Sequence, residues 1–464
     1  MPRFPSLDTP PAGAIMAAPM RSAALILLAS LPALAAPVIP RSEFFKVETV
    51  AEGFTDAMEL AITPEGYIFV IERTGAVKLV RPADGKSLEV EPRRDGHAEE
   101  CGLLGIALDP DYAGNKWVYL YYSPAGIPKQ RLSRFTFAGR TLEDEHVLLE
   151  IPHERDNGVR HEAGSLAFGP QGRLFLATGD NTNPAESDGY APLDQRKDRA
   201  GFDAQRTAGN TNDLRGKILR IVPKADGTYA IPEGNLFPEG TGSTRPEIFV
   251  MGCRNPFRIA LDPRSGALFW GDIGPDAGAA GERGPQGYDE INRTRAAGNF
   301  GWPYFAADNK PYANYDFRAQ RIRTPFDPAS PFNSSPNNTG RPRLPAAQSA
   351  LWFQPHSAAC AGAVYHHGDY PESPTKLPKA LDSSLLVFDR ASGALRVIKF
   401  DASGAIAANE PWLEKYRFVH PSDMALDAEG HLYLLESGSA RDDGNNAKLK
   451  RISYSEVPLK LDGP

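Results

Sequence analysis

Hydrophobic and polar residues along this chain fall into one recurring phrase. A short run of small and apolar residues leads into a Pro- or Gly-containing turn, and an alternating strand rich in aromatic and β-branched residues follows. The phrase runs over Leu60 to Val70 and again from Gly105 to Pro110 with Trp117 to Tyr121. It returns at Leu166 to Leu176, at Ile259 to Trp270 and at Met424 to Leu434. A weaker copy joins Ala361 to Tyr365 with Leu385 to Asp389 and Leu395 to Phe400. Each phrase is the pattern of an antiparallel hairpin. Repetition at about 40 residues or more, stretched by insertions, predicts an all-β fold, a six-bladed β-propeller. The chain after Glu43 and the last strand, Leu449 to Tyr454, are expected to pair and close the ring, which removes two exposed sheet edges. Two long insertions, Asn181 to Arg215 and Asn299 to Gln354, hold enough aromatic residues and proline to predict ordered loops over one end of the central channel.

The N-terminus breaks this pattern. Arg21 precedes the apolar run Ala23 to Ala29, and the small-residue step Ala33-Leu34-Ala35 comes before Ala36 and Pro37. A basic region, a short apolar core and a small-x-small step predict a secretory signal over residues 1–36, with Met20 as an alternative start. The propeller is then expected over 37–464, in the periplasm or outside the cell. The apolar run is too short to span a bilayer, and no later run is long enough.

Composition narrows the function. A formal charge of −7 lacks the basic face that nonspecific nucleic-acid binding needs. Three cysteines, Cys101, Cys253 and Cys360, in an exported chain allow one disulfide with one thiol left over, and the sequence does not choose the pair. The chain has no Cys-x-x-Cys-His, which excludes covalently attached haem.

Three groups of residues could carry chemistry. His161 precedes a blade strand, where an imidazole can reach the channel mouth and act as a base. Arg254 and Asn255 come before Pro256, which holds Asn255 extended, and a guanidinium there suits a carboxylate or a growing oxyanion. Gly274-Pro275-Asp276 and Tyr288-Asp289-Glu290 offer carbonyl and carboxylate oxygens on loops, the hard ligands that calcium takes.

At these residues the sequence resembles the glucose/sorbosone dehydrogenase family of soluble quinoproteins, from about Phe45 to Tyr454. The matching motifs, in order, are Gly102 to Asp111, His161 with Gly164 to Gly172 and Thr178-Gly179-Asp180, Asp213 to Ile221, Arg254 to Arg258, Gly274-Pro275, and Tyr288 to Asn292 with Gly298 to Pro303. The resemblance implies a sugar dehydrogenase with PQQ over the channel end and Ca2+ beside it. His161 would take the sugar hydroxyl proton while hydride passes to the quinone. Arg254 would stabilise the charge growing on the quinone oxygen, and Asn255 would help hold the cofactor. Gly274 and Pro275 would bind the calcium that polarises PQQ, and Glu290 would serve a second calcium. Among later residues Arg390 matches the cationic groups that grip PQQ, with His420 and Arg417 as alternatives. Glu100 stands where the family carries a glutamine near substrate, and Arg160 replaces the acid beside the catalytic histidine. Electrons would leave to a separate acceptor, a cytochrome c or a quinone. A calcium-dependent propeller hydrolase of the lactonase kind and a non-catalytic binding propeller are the competing readings.

Overall fold

The computed structural model describes residues 38–91, 100–154, 158, 160–185, 187–355, 357–438 and 445–460. The secretory segment read over 1–36 lies outside them. Six blades follow one another, five of them four-stranded and antiparallel and the third widened to six strands by Tyr229–Ala230 and by Gly298–Asn299, which pairs parallel to Ile248–Met251. Blade 1 is built from Ala57–Ile62, Ile68–Glu72, Val77–Arg81 and Lys86–Glu91, and blade 2 from Leu103–Leu108, Trp117–Tyr122, Lys129–Phe137 and Leu142–Pro152. Blade 3 uses Ala163–Gly169, Arg173–Thr178, Lys217–Pro223 and Ile248–Met251, and blade 4 uses Pro256–Leu261, Leu268–Asp272, Asp289–Thr294 and Trp352–Gln354. Blade 5 comprises Ala359–Tyr365, Ser384–Asp389, Leu395–Phe400 and Ile406–Trp412. Blade 6 takes Pro421–Leu426, Leu432–Glu436 and Ala447–Tyr454 from the C-terminal end and Phe45–Phe54 from the N-terminal end. The expected closure is therefore present, with Phe45 opposite Tyr454 and Phe54 opposite Ala447.

The first strand of each blade adjoins the first strand of the next, and Pro421–Leu426 returns to Ala57–Ile62. Second strands such as Ile68–Glu72, Ser384–Asp389 and Leu432–Glu436 are buried along their whole length. Each is covered on both faces, which explains why the aromatic half of the phrase reads as a nearly unbroken apolar run. Edge-on aromatic pairs lock neighbouring blades together, as Tyr119 of blade 2 does against Phe168 of blade 3 at 5.1 Å.

The axis itself is polar. Arg258 on the first strand of blade 4 is fully buried and donates through Nε to the Ser422 carbonyl of blade 6 (2.7 Å), through Nη1 to the Phe257 carbonyl (2.7 Å), and through Nη2 to the Met58 carbonyl of blade 1. Glu59 of blade 1 accepts from the Ile106 amide of blade 2 (2.7 Å) and the Ser165 hydroxyl of blade 3 (2.5 Å). Asp423 of blade 6 accepts from the Leu60 amide at 2.9 Å. Inner strands that end in unpaired edges toward a channel need partners for their buried polar groups, and these side chains supply them.

Both insertions lie inside blades. Residues 181–215 join the second and third strands of blade 3, and residues 299–354 make up most of the connection between the third and fourth strands of blade 4 together with that fourth strand. They are tied to one another: Asn333 Nδ2 donates to the carbonyls of Gln205 and Gly209 (2.8 Å each), and Asp203 accepts from Ser335 Oγ (2.5 Å) and Asn337 Nδ2 (3.0 Å). Lys217, fully buried, anchors the root of the first insertion by donating to the carbonyls of Thr207, Ala208 and Arg215.

The disulfide allowed by the sequence does not form. None of the three thiols is bridged, and all are buried, each in a different place on the ring: Cys101 before blade 2, Cys253 between blades 3 and 4, and Cys360 on the first strand of blade 5. No two of them share a strand pair that could bring their Cβ atoms together.

Candidate active site

A cleft of about 310 Å3 opens at the end of the channel where the inner strands begin. His161, Arg254, Asn255, Glu100, Gly274 and Arg390 all line it. Six residues from loops spread over almost three hundred positions thus converge on one wall. A larger depression of about 520 Å3 lies on the flank between blades 1 and 6, around Tyr67, Arg81 and Glu429, and it contains none of the residues read from the sequence as chemical.

His161 sits with φ +71°, a left-handed conformation that turns the chain into the first strand of blade 3. Its amide donates to Glu100 Oε2 at 2.8 Å. The ring nitrogen Nδ1 lies 2.7 Å from Asp180 Oδ1, and Asp180 is completely buried. That carboxylate also accepts from the Trp302 indole (Nε1 to Oδ2, 2.7 Å) and from the Thr182 hydroxyl (2.8 Å). Burial works against its charge, but His161 and then Arg254 outweigh burial and hold the carboxyl below its usual range. A charged Asp180 fixes the proton on Nδ1, as assigned from the hydrogen-bond network, and leaves Nε2 as the acceptor. Gly179 makes this contact possible, since a Cβ there would stand 1.8 Å from the His161 carbonyl oxygen.

The Arg254-Asn255 step is held by a second buried acid. Asp272 Oδ1 accepts the Asn255 amide at 2.6 Å, and both its oxygens accept the Arg254 amide at 3.1 and 3.2 Å. Burial pushes the Asp272 carboxyl up to about 7. Arg254 Nη1 donates to the Ile273 carbonyl at 2.8 Å, with the guanidinium 5.9 Å from the Trp302 ring. Asn255 Oδ1 accepts the Ala163 amide at 3.0 Å, so the cleft wall ties blade 4 to blade 3.

Arg390 donates to Ser437 Oγ at 3.0 Å and lies 5.3 Å from the Phe257 ring. Burial, with Arg73 next in effect, draws its guanidinium down to about 10. His420 is exposed, does not line the cleft, and instead sets Arg390 in place: its Nδ1 lies 3.2 Å from the Arg390 carbonyl. Arg417 is likewise exposed and off the wall.

The predicted calcium residues divide. Gly274 lines the cleft, its amide held by Asp289 Oδ1 at 2.8 Å, and a Cβ at that position would lie 1.7 Å from the Tyr288 carbonyl oxygen. Pro275 is one residue off the wall. Glu290 lies behind it, opposite Asp272 in the strand register, and accepts from the Ala307 amide (2.6 Å) and Asn292 Nδ2 (3.0 Å). Burial, reinforced by the charge of Asp272, raises its carboxyl to about 8.

Four residues of the site take no role from the sequence pattern alone. Asp180 ends the Thr178-Gly179-Asp180 motif, and the acid at 272 ends a strand whose apolar pattern masks it. Arg73, which lines the cleft beside Arg390, stands in no motif, and Trp302 lies within the Gly298 to Pro303 motif, where nothing marks its contact with Asp180.

A model of the glucose/sorbosone dehydrogenase family matches residues 54–445. An uncharacterized protein of Synechocystis sp. is 27% identical over 419 residues, covering 88% of this chain and 86% of that one. Quinoprotein glucose dehydrogenase B of Acinetobacter calcoaceticus is 27% identical over 300 residues, 61% of this chain and 58% of the relative, so the match spans little more than half of that enzyme. Among solved structures, the PQQ-bound form of aldose sugar dehydrogenase from Streptomyces coelicolor shares the fold, with a TM-score of 0.59 at 22% identity over 88% of this chain and 98% of that chain.

Proposed function

The chain belongs to the glucose/sorbosone dehydrogenase family, and from that premise we propose that it oxidises a sugar, or a related polyol or aldehyde, with PQQ and Ca2+ as cofactors. One observation carries the reading: His161, backed by the buried Asp180, lines a single cleft with Arg73, Arg254 and Arg390. PQQ is a planar tricarboxylate, and crowded arginines in a chain of net charge −7 are a donor set suited to such an anion. Arg390, Arg73 and the Asn255 side chain would hold it, and the Gly274 and Pro275 carbonyls offer hard oxygen to calcium. When bound, the quinone supplies a two-electron acceptor for hydride.

The protein's own residues account for the rest. His161 Nε2 takes the substrate hydroxyl proton, and the charged Asp180 stabilises the imidazolium that results. Trp302 and Thr182 keep Asp180 in line. Arg254, fixed by Ile273 and by the Asp272 clamp on its backbone, presents positive charge where negative charge grows on the acceptor. Export through residues 1–36 would place the reaction in the periplasm or outside the cell, with a cytochrome c or a quinone as the separate electron acceptor.

The test is reconstitution of purified protein with PQQ and calcium, followed by dye reduction with a panel of aldoses, sugar alcohols and sorbosone. Activity that needs both cofactors and is lost in His161→Ala supports the reading. Absence of PQQ binding and of dye reduction with every sugar overturns it in favour of a lactonase-like hydrolase or a binding propeller.

A further inference from the structure

A second set of chemical groups runs from the cleft wall into the interior, built from the chain neighbours of two cleft residues. Cys101 follows Glu100, and Glu162 follows His161. His153, at the end of blade 2, stands between them: its Nε2 lies 3.2 Å from Cys101 Sγ and its Nδ1 lies 3.2 Å from Glu162 Oε2. All three are buried, at 5%, 2% and 4% exposure. Glu162 is held in turn, accepting from Gln130 Nε2 at 2.7 Å, and Gln130 accepts from the Tyr121 hydroxyl. Thiol, imidazole and carboxylate thus stand in the order of a nucleophile, its base and the group that orients the base.

The other two thiols show the contrast. Cys253 and Cys360 are fully buried, and burial drives both thiols upward, away from ionisation. Cys360 donates to the Ala358 carbonyl at 3.3 Å, and Cys253 feels the charge of Asp272. Among the described residues neither has the His-carboxylate relay that Cys101 has.

We infer that Cys101 is a nucleophilic thiol activated by His153 and Glu162, and that it is the residue at which this protein reacts with hydroperoxides. The thiol proton passes to His153 Nε2, and Glu162 balances the imidazolium. The thiolate attacks one peroxide oxygen, so that an S–O bond forms as the O–O bond breaks. Sulfur loses two electrons and becomes a sulfenic acid, and the peroxide is reduced to an alcohol or water, its leaving oxygen taking the proton back from His153. Glu162 and Glu100, the chain neighbour of Cys101, both line the cleft, so the cleft is the side from which a small reagent would approach the thiol.

Two probes test it on the folded full chain: iodoacetamide at pH 7, and hydrogen peroxide followed by dimedone, each read by peptide mass mapping. One equivalent of label on Cys101, with Cys253 and Cys360 unlabelled and a rate that falls at least about tenfold in His153→Gln and in Glu162→Gln, is the expected result. Near-UV circular dichroism of each variant separates lost reactivity from lost structure, and either variant suffices if the other does not fold. Equal labelling of the three thiols, no labelling in the folded protein, or an unchanged rate in a folded variant overturns the inference. So does one equivalent of zinc in the purified protein that must be chelated before Cys101 reacts, because the cluster would then be a metal site.

Discussion

Arg258 and Glu59 face each other at the axis of the ring, Nε 4.0 Å from Oε1, and both are buried. Between them they reach five blades: Arg258 binds backbone carbonyls of blades 1, 4 and 6, while Glu59 of blade 1 binds blades 2 and 3. Removing the guanidinium leaves three carbonyls and a carboxylate without it. Arg258→Met is expected to lower unfolding free energy by about 3–5 kcal/mol, the scale of removing a buried cation and leaving its buried partners unsatisfied, read by urea denaturation.

The same hub predicts a pH dependence. Burial raises the Glu59 and Asp423 carboxyls above their ordinary range. Their folded values lie above the unfolded ones, so the folded state keeps protons that the unfolded chain has released. Stability therefore falls as pH rises from the ordinary carboxylate range, near 4, toward neutrality. Glu59→Gln should flatten that decline, and thermal melts between pH 4.5 and 8, roughly the interval in which these protons are exchanged, measure it.

Asp180→Asn should keep the fold and lose most of the catalysis. The amide can accept and donate, so His161 is no longer held in one tautomer or stabilised as a cation. A fall in kcat/KM of about 10³–10⁴ is expected, measured by dye reduction in the reconstituted enzyme. Trp302→Phe, which removes one donor to Asp180, should cost less.

Arg390→Ala should weaken PQQ binding by roughly ten- to a hundredfold, the scale of one lost hydrogen bond to a charged group. Isothermal titration of the metal-loaded protein reads it. His420→Ala, one step further back, should shift affinity by a smaller factor, since it touches only the Arg390 backbone.

Calcium should stabilise the protein by mass action, by about 2.7 kcal/mol at a hundred times its dissociation constant. The melting temperature should rise with added calcium and fall with chelator. Gly274→Ala should abolish that response, because the added Cβ would meet the Tyr288 carbonyl and displace the turn.

Local pattern carried the fold far. Each hairpin phrase, such as Leu166 to Leu176, is a complete instruction for two adjacent strands, and six of them with a leftover strand at either end leave the closed ring as the economical arrangement. The site was legible where a residue announces itself in its own motif, as His161 and the Arg254-Asn255-Pro256 step do. It was opaque where meaning comes from a partner far away. Trp302 lies 122 positions from Asp180, and nothing around either residue signals the contact between them. His420 illustrates the converse, a residue of suitable type and order that ends up supporting Arg390 from outside the wall.

The pairing of Phe45–Phe54 with Ala447–Tyr454 also decides how the ring answers to mechanical force. The two strands are antiparallel, and Phe45 and Tyr454, the outer ends of the clasp, sit opposite each other. A load drawn from both ends of the chain would act across the ladder and part its hydrogen bonds one at a time, as a zip opens, instead of shearing them together. The seam that completes the propeller is in this direction its weakest line, and tethering at the chain ends would strain it before any other blade.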